Sequence, residues 1–307
     1  MGDPSGIGPC IIKKAIPHLA CLAQFVIIGD RSVFEQAGAR FCDSPNIEFM
    51  HIDNVGRRGF KFGKISPEYG KASLDYLDKA LELISKKQID CLVTAPVCKE
   101  AINLAGYKFS GQTEYLAKAT AAANVEMMLL NQELRFVLAT RHIAIKEVPG
   151  ALNKNKLSAT IILAHQALRN LFLIKNPRLV VCGLNPHASD NGLIGKEENK
   201  IIKPLIESLN RKLKCLSGPL PADVAIAKAK AKEYDCVIAM YHDQALIPLK
   251  LFNNNAGVNL TLGLSFVRTS PLHGTAFDIA GTSLPNPDSL IAAVKLALAC
   301  TSNLKRA

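Results

Sequence analysis

Short apolar runs alternate with longer amphipathic segments along this chain, and this alternation constrains the fold more than any other feature. The runs are rich in Val, Ile and Leu and read QFVIIG, CLVTAP, LRFVLAT, RLVVCG and CVIAMY. Between them lie helical patterns such as SLDYLDKALELISKK and KLSATIILAHQALRNLFLI. Continuous apolar strands separated by helices are typical of a mainly parallel sheet covered by helices on both faces. The pattern therefore predicts an α/β protein.

The composition indicates a globular protein without a membrane partner. Of the 307 residues, 49% are hydrophobic, enough for one large core or two lobes that share a cleft. No apolar stretch approaches the roughly 20 residues that cross a bilayer, and no basic-then-apolar leader opens the chain. The nine cysteines include no CxxC pair, which favours reduced core thiols over a disulfide framework or a zinc ribbon. We expect a cytoplasmic protein.

The formal net charge of +11 comes from dispersed lysines and arginines. The cluster KAKAKE at 228–233 is interpreted as a solvated helix face. Nucleic-acid binders concentrate basic residues and interleave aromatic ones, whereas this chain has 6% aromatic residues and no tryptophan. The sequence therefore predicts no nucleic-acid partner, and an anionic small molecule accounts for the positive charge.

Three histidines follow predicted strands at the point where each strand ends. His142 follows LRFVLATR, His187 follows RLVVCGLNP, and His242 follows CVIAMY. In an open α/β sheet, ligands bind beyond the carboxyl ends of the strands, because the loops there converge on one crevice. Three imidazoles brought to such a crevice predict a metal site with positions left open for substrate oxygens.

The remaining polar signals are weaker. His18 and His165 lie in helical patterns, and His51 ends the run IEFMHI without a turn signal, so all three are interpreted as structural. GDPSGIG at the N-terminus resembles a phosphate-binding loop but lacks the Walker lysine and the GxGxxG spacing. Such a loop normally follows a strand, so we expect either a start codon further upstream or a sheet that lacks this strand.

Two further segments carry candidate ligand-binding residues. The polar loop GLNPHASDNGLIGKEE at 183–198 follows a buried strand, which favours a place at the crevice. Lys250, Asn259 and Arg268 lie in the segment after CVIAMY, and a lysine with an arginine suits a phosphate or carboxylate. HGTAFDIAG at 273–281 has Thr275 available as a helix cap and glycines that allow close backbone approach to a ligand.

Taken together, these strings resemble a known family in order and across nearly the whole chain. The matching segments are GDPSGIGP, TAPVCKEAINLAG, GQTEYLA, LATRHIAIKEVPGAL, VCGLNPHASDNGLIGKEE, GPLPAD, AMYHDQALIPLK and GVNLTLGLSFVRTSPLHGTAFDIAG. They resemble the 4-hydroxythreonine-4-phosphate dehydrogenase family of pyridoxal phosphate biosynthesis. The resemblance implies a two-subdomain α/β/α fold related to isocitrate and isopropylmalate dehydrogenases.

The resemblance also implies a domain layout and an assembly. We expect a first subdomain at 1–120 with 255–307 and a second at 121–254, with the active-site cleft between them at the interface of a homodimer. The two subunits of such a dimer would share their active sites.

The resemblance assigns roles to particular residues. It implies one divalent metal per subunit, zinc, magnesium or cobalt, on His142, His187 and His242. The expected cofactor, NAD or NADP, is assigned to His273, Gly274, Thr275 and Asp278. The expected substrate contacts are Gln112, Thr113, Lys250, Asn259 and Arg268, with Lys250 and Asp243 as candidate catalytic residues. Asp243 is either the partner that orients His242 or a base.

Three features depart from the family pattern. Gln112 stands where relatives usually have a histidine, and an amide cannot carry a proton as an imidazolium does. Cys10 stands where relatives usually have glutamate, and relatives usually have a strand before Gly2. Gln112 in particular puts the substrate in question.

The reaction that the resemblance implies is oxidation of the secondary alcohol of 4-phosphooxy-L-threonine by NAD, followed by loss of carbon dioxide. Here a metal would polarise the alcohol oxygen, the nicotinamide would accept the hydride, and Lys250 and Arg268 would anchor the anionic groups. Two other enzyme classes stay open: a dehydrogenase of another phosphorylated hydroxy acid, such as threonate or erythronate 4-phosphate, and a phosphotransacetylase-like acyltransferase. A basic nucleic-acid binder is disfavoured.

Overall fold

The computed structural model describes residues 1–39, 45–56, 58–109, 111–252 and 256–306 of the chain. Its helices are α1 (Gly8–Leu19), α2 (Arg31–Gln36), α3 (Pro67–Ser85), α4 (Lys99–Leu104), α5 (Gln112–Ala119), α6 (Val148–Ala151), α7 (Lys154–Asn170), α8 (Lys203–Leu213), α9 (Ala222–Lys230), α10 (His242–Leu251) and α11 (Asp288–Leu304). Its strands are β1 (Phe25–Gly29), β2 (Ile47–His51), β3 (Cys91–Val93), β4 (Glu126–Leu130), β5 (Arg135–Leu138), β6 (Leu179–Cys182), β7 (Leu216–Leu220), β8 (Cys236–Ala239), β9 (Val258–Leu262) and β10 (Val267–Pro271).

The chain divides into two compact units. Unit 1 comprises Met1–Ala122 with Leu264–Leu298, and unit 2 comprises Ala123–Gly263 with Ala299–Ala307. This division differs from the expected subdomains, 1–120 with 255–307 and 121–254, in two places. Residues 256–263 belong to unit 2 because β9 pairs with β4, and the chain end belongs there because Asn303 donates a hydrogen bond to the carbonyl of Leu171. The expected boundary at 254/255 lies outside the described residues.

Unit 1 contains two parallel strand pairs, β1 with β2 and β10 with β3. The long helix α3 supplies much of its apolar core, with Leu74, Leu77 and Ala80 buried along one face. Spacings of three residues place these side chains on one side of the helix, as an amphipathic helix requires. Helix α1 packs separately on the first turns of α11 through Ile11 and Leu290.

Unit 2 contains a six-stranded sheet in the order β9, β4, β5, β8, β6, β7. The pairs β9–β4 and β4–β5 are antiparallel, and the remaining three pairs are parallel. Strands β6 and β8 are buried over their whole length. A continuous apolar sequence is what a strand covered on both faces requires, which explains why these runs show no polar alternation.

The structure confirms the predicted α/β class, and the five apolar runs form β1, β3, β5, β6 and β8. Sequence reasoning did not single out β2, β4, β7, β9 and β10 as strands. The β7 sequence LSGPL contains a glycine and a proline, residues that usually mark turns and are tolerated mainly in edge strands. As the last strand in the order, β7 lies at the edge of the sheet of unit 2.

Among the described residues, no helix has the length and apolar character needed to cross a membrane.

Gly70 generates a stability prediction for unit 1. A Cβ on this residue, inside α3, would lie 2.1 Å from the carbonyl oxygen of Ala101 in α4. Because backbone cannot move aside as a flexible side chain does, we expect Gly70→Ala to destabilise the protein by about 1–3 kcal/mol despite the better helix propensity of alanine. Urea unfolding measures the change.

Gly150→Ala is the matched control, since a Cβ on Gly150 in α6 would meet nothing within 4 Å. This variant should be neutral or stabilised by up to about 1 kcal/mol. Equal effects of the two substitutions would contradict the steric account.

Candidate active site

The three candidate metal-binding histidines lie beyond three neighbouring strands of unit 2. The strands β5, β8 and β6 are adjacent and parallel, so their carboxyl ends share one edge of the sheet. His142 follows β5, His242 follows β8, and His187 follows β6. The sheet therefore brings all three loops to the same edge, where an open α/β sheet binds its ligands.

Two of the histidines are in direct proximity. The ring centroids of His142 and His242 lie 5.5 Å apart with a 45° angle between the ring planes. The Nδ1 atom of His242 lies 2.7 Å from Oδ1 of Asp243. Because a carboxylate only accepts, this contact favours a proton on Nδ1, and a neutral His242 then has its lone pair on Nε2, the form in which histidine binds metals. Asp243 thus orients His242.

His187 belongs to a loop with an unusual backbone. The five residues from His187 to Asn191 all have positive φ, between 43° and 72°. Each such residue costs roughly 1–2 kcal/mol in an L-amino-acid chain, so the surrounding structure has to hold this segment in place. His142 also has a positive φ, of 43°. Strained backbone of this kind concentrates at functional sites.

Among the described residues, a different group meets the simple distance requirement for a metal, which the three histidines do not meet. In the parts of the chain that the structure describes, only one group of three His, Cys, Asp or Glu side chains has its ligand atoms all within 4.8 Å of one another. It consists of Asp30, His51 and Asp53. The Asp30 carboxylate already accepts hydrogen bonds from the Tyr76 hydroxyl and from the backbone N–H of Asn54. The Nδ1 atom of His51 accepts from the backbone N–H of Arg31, at 3.3 Å. These contacts give the group a structural role as well.

The structure does not bring Lys250 to the histidines of its own chain. Lys250 lies eight residues after His242 on α10, which corresponds to about 12 Å of helix rise, and its side chain is exposed. Asn259 is buried in β9, opposite Leu129 of β4. Both residues belong to unit 2.

Arg268 forms the centre of a buried polar cluster in unit 1. Its Nη2 donates to Oγ1 of Thr94 and to Oε1 of Gln112, both at 2.6 Å, and its Nη1 donates to Oγ1 of Thr113 at 3.4 Å. Only 2% of the Arg268 surface is exposed. Burial lowers the pKa of Arg268 to about 10, so the guanidinium stays charged at neutral pH.

This cluster is built for anions. Gln112 and Thr113 are the first two residues of α5, whose N-terminus presents backbone N–H groups and the positive end of the helix dipole. A charged guanidinium that contacts the side chains of this first turn adds a second positive group to the same place. A phosphate or a carboxylate is the complementary ligand.

The contacts of Gln112 define its role. Its Nε2 donates to the carbonyl of Ala95 at 2.9 Å while its Oε1 accepts from Arg268. Both ends of the amide are therefore engaged within unit 1. Gln112 holds the guanidinium in position, a role that needs no proton transfer.

The expected cofactor residues lie on an exposed loop of unit 1. The carbonyl of Thr275 accepts a hydrogen bond from the backbone N–H of Ile7, which ties this loop to the N-terminal glycine loop. A Cβ on Gly274 would meet nothing within 4 Å, and Asp278 is exposed. The Nε2 atom of His273 is buried and has no hydrogen-bond partner among the described residues. This loop thus has open space and a ring nitrogen that an added ligand can engage.

Asp3, in the N-terminal glycine loop, is a buried carboxyl that sequence reasoning left out. Its Oδ1 accepts hydrogen bonds from the backbone N–H and the hydroxyl of Ser5, and its Oδ2 is buried without a partner in the described structure. Burial raises the pKa of Asp3 to about 6, against the opposing effect of these hydrogen bonds.

Other residues at the site also went unrecognised in the sequence. Thr94 directly follows β3, so the rule that singled out the histidines, a polar residue at a strand's end, also points to it. Glu198, Thr140 and Gln244 are buried polar residues near the histidine loops. Thr140 and Gln244 follow predicted strand ends and Glu198 ends the 183–198 loop, but their hydrogen-bond partners could not be read from the sequence.

Both units have an α/β architecture. Unit 2 carries three histidine loops at one sheet edge, and unit 1 carries a buried arginine that contacts the first turn of α5. The fold is similar to that of isocitrate dehydrogenase from Methylococcus capsulatus, with a TM-score of 0.52 and 14% identity, over 99% of this chain and 85% of that one. That similarity concerns the fold alone.

Residues 18–297 match the family model of the pyridoxal phosphate biosynthetic protein PdxA. The chain belongs to this family, whose curated members include dehydrogenases. The family therefore favours oxidation of a CH–OH group over acyl transfer and indicates an NAD-type cofactor with a divalent metal.

Relatives in this family carry more than one name. The 4-hydroxythreonine-4-phosphate dehydrogenase of Desulforapulum autotrophicum is 39% identical, over 97% of this chain and 93% of that protein. The D-threonate 4-phosphate dehydrogenase of Cupriavidus necator is 40% identical, over 96% and 94%. A putative 4-hydroxythreonine-4-phosphate dehydrogenase structure from Salmonella typhimurium has a TM-score of 0.86 and 34% identity, over 98% and 97%.

The raised pKa of Asp3 generates a prediction for the pH dependence of stability. The folded protein binds this proton more tightly than the unfolded chain, where the pKa is 3.8. The contribution of Asp3 to stability is therefore greatest below pH 4 and falls as the pH rises to about 6. Asp3→Asn keeps the acceptor for Ser5 without the buried charge, so its stability gain over wild type should grow by up to roughly 3 kcal/mol between pH 4 and pH 7.5.

Urea unfolding at both pH values measures this gain. Asp223→Asn, at an exposed position in the first turn of α9, is the control and should show no such pH-dependent gain. A gain of Asp3→Asn that is the same at both pH values would contradict the buried charge.

Proposed function

We propose that this protein oxidises 4-phosphooxy-L-threonine with NAD or NADP, and that the resulting keto acid loses carbon dioxide to give 3-amino-2-oxopropyl phosphate for pyridoxal 5'-phosphate biosynthesis. In this reaction the alcohol carbon gives a hydride to the nicotinamide, and its oxygen gives up a proton. The observation that carries the proposal is the charged, buried Arg268 at the N-terminus of α5, because such a site suits a phosphorylated substrate.

We assign the substrate and cofactor contacts to separate groups of residues. Arg268 binds the phosphate together with Thr113, and Gln112 and Thr94 keep the guanidinium in place. We assign orientation of the rest of the substrate to Asn259 and binding of an anionic group to Lys250. His273, with its buried Nε2, and Gly274, Thr275 and Asp278 are assigned to the cofactor.

We assign the metal to His142, His187 and His242. Imidazole nitrogens suit zinc or cobalt, and magnesium, which prefers oxygen ligands, is the third candidate. The contact with Asp243 favours the His242 tautomer that leaves the Nε2 lone pair for the metal. When bound, the metal supplies a Lewis acid for the alcohol oxygen. These residues hold the site, and the hydrogen bond between Asp243 and Nδ1 orients His242.

We infer a homodimer with shared active sites. Large apolar side chains are exposed beside each candidate metal ligand: Ile143 and Ile145 after His142, Leu193 and Ile194 after His187, and Ile247 and Leu251 on α10 after His242. Leu193 is 88% exposed. Apolar patches of this kind favour contact with a second copy. A partner's Lys250 would then reach the site that the chain's own Lys250 does not.

A location in the cytoplasm is part of the proposal. The eight cysteines in the described parts of the chain are all free thiols, as a reducing compartment allows.

A second candidate substrate is D-threonate 4-phosphate, which carries a hydroxyl in place of the amino group. The observation in its favour is that the C. necator enzyme named for it is 40% identical to this chain. Both compounds present the same phosphate to Arg268.

Measuring the reduction of NAD by the purified protein with each compound distinguishes the two candidate substrates. We expect turnover on 4-phosphooxy-L-threonine, loss of activity in chelator, and recovery when zinc, cobalt or magnesium is added. Turnover only on D-threonate 4-phosphate would select the second candidate, and activity unchanged in chelator would contradict the metal.

If sites are shared, mixing inactive His142→Ala subunits with inactive Lys250→Ala subunits should restore part of the activity.

Arg268→Lys tests the anion site. Lysine keeps the charge but loses the planar fork that reaches Thr94, Gln112 and Thr113, so KM should rise about 10- to 100-fold while kcat changes less. Arg178→Lys is the control, because Arg178 is exposed and pairs with Asp235 on the surface of unit 2. An unchanged KM in Arg268→Lys would place this residue outside the substrate site.

A further inference from the structure

A buried polar network joins the three strand ends that carry the histidines. The peptide group of Met240, just after β8, is held from both sides. The hydroxyl of Thr140, after β5, donates to the Met240 carbonyl at 2.6 Å. The side-chain oxygen of Gln244 accepts from the Met240 N–H at 2.7 Å, and its Nε2 donates to the carbonyl of Gly183, after β6, at 2.9 Å.

The network lies in the dry interior of unit 2. Thr140 is 1% exposed, Met240 0% and Gln244 7%. In such surroundings each lost hydrogen bond leaves a polar group that water cannot satisfy, so the bonds define one arrangement of the backbone. The network therefore restricts the relative positions of the three strand ends.

These bonds begin where the strand pairing stops. The β5–β8 ladder ends at Leu138 and Ala239 and is followed by one more bond, from the Ala139 N–H to the Ala239 carbonyl. The β6–β8 register ends at Val181 and Ile238. The sheet itself is held by its ladders, so the side-chain bonds of Thr140 and Gln244 add order to the loops beyond it.

Each anchored residue is close in sequence to a candidate metal ligand. Thr140 and Met240 each lie two residues before a histidine, His142 and His242. Gly183 lies four residues before His187. We propose that Thr140 and Gln244 are positioning residues that align the three histidine loops for the metal, an inference that rests on the metal site proposed above.

Glu198 fixes the backbone between Gly183 and His187. Its Oε1 accepts from the backbone N–H groups of Leu184 and Asn185, both at 2.8 Å, and its Oε2 accepts from Nδ2 of Asn185 at 2.9 Å. Glu198 is 1% exposed and begins a π-helical turn at Glu198–Ile202, a feature frequent at functional sites. The segment from Gly183 to Asn185 is thus fixed at both ends, and the strained run that starts at His187 follows directly.

Cobalt binding to the full-length, chelator-treated protein tests the proposal. Thr140→Val and Gln244→Leu remove the hydrogen bonds and keep similar volumes, so each should weaken Co²⁺ affinity about tenfold or more in calorimetry. Thr140→Ser restores the hydroxyl and should return the affinity to within about threefold of wild type, as expected where one hydrogen bond accounts for the effect. Gln166→Leu, at an exposed position of α7, should change nothing.

A purely structural role predicts a different pattern. It would lower the melting temperature of the metal-free variants and leave their Co²⁺ affinity at the wild-type value, and that result would overturn the proposal. Failure of Thr140→Ser to recover affinity would do the same.

Hydrogen exchange of the metal-free protein supplies a test that does not need the metal. Gln244→Leu should speed amide exchange in two separate segments, 183–187 and 239–242, because one amide bridges them. Faster exchange in only one segment would overturn the proposal. Wild-type protein that binds no Co²⁺ would instead refute the metal assignment, and the exchange pattern would still decide whether Gln244 couples the loops.

Discussion

The parallel pairing of β8 with β5 on one side and β6 on the other is the constraint on which the histidine site depends. Parallel strands end at the same edge, so three loops that are far apart in sequence begin on neighbouring strands. No single loop has to reach across the molecule. The buried backbone of Met240 lies at the centre of this edge, where its carbonyl accepts a hydrogen bond from Thr140 and its N–H donates one to Gln244.

The two units supply different chemistry. Unit 2 carries three histidines beyond one edge of its sheet, whereas unit 1 carries a charged guanidinium at a helix N-terminus. A guanidinium buried among side-chain oxygens is costly to desolvate, and the anion that we propose for this site would compensate for that cost. The charge at Arg268 is the feature that most directly links this fold to a phosphorylated substrate.

Much of this organisation could be predicted from the sequence, for identifiable reasons. Apolar runs gave the strands because buried parallel strands need no polar alternation, and strand ends pointed to His142, His187 and His242. Strand β7 was not predicted because a Gly-Pro pair, here Gly218 and Pro219, usually marks a turn. The partners of Gln112 could not be foreseen, because Ala95 and Arg268 meet it only through the tertiary fold. The sequence raised the missing imidazole as a question about acid/base chemistry, and the structure shows an amide that holds Arg268.

The left-handed run from His187 to Asn191 has a consequence for which side chains this loop can accommodate. Asparagine and aspartate tolerate this backbone better than most residues, and both occur here, but the β-branched residues valine, isoleucine and threonine are excluded by their own Cβ substituents. Glycine would enter without strain, yet it would enlarge the set of conformations open to the loop when its hydrogen bonds break. The loop therefore has a strained backbone and accepts few residue types. Residues that relieve the strain, such as glycine, would also make the loop less rigid.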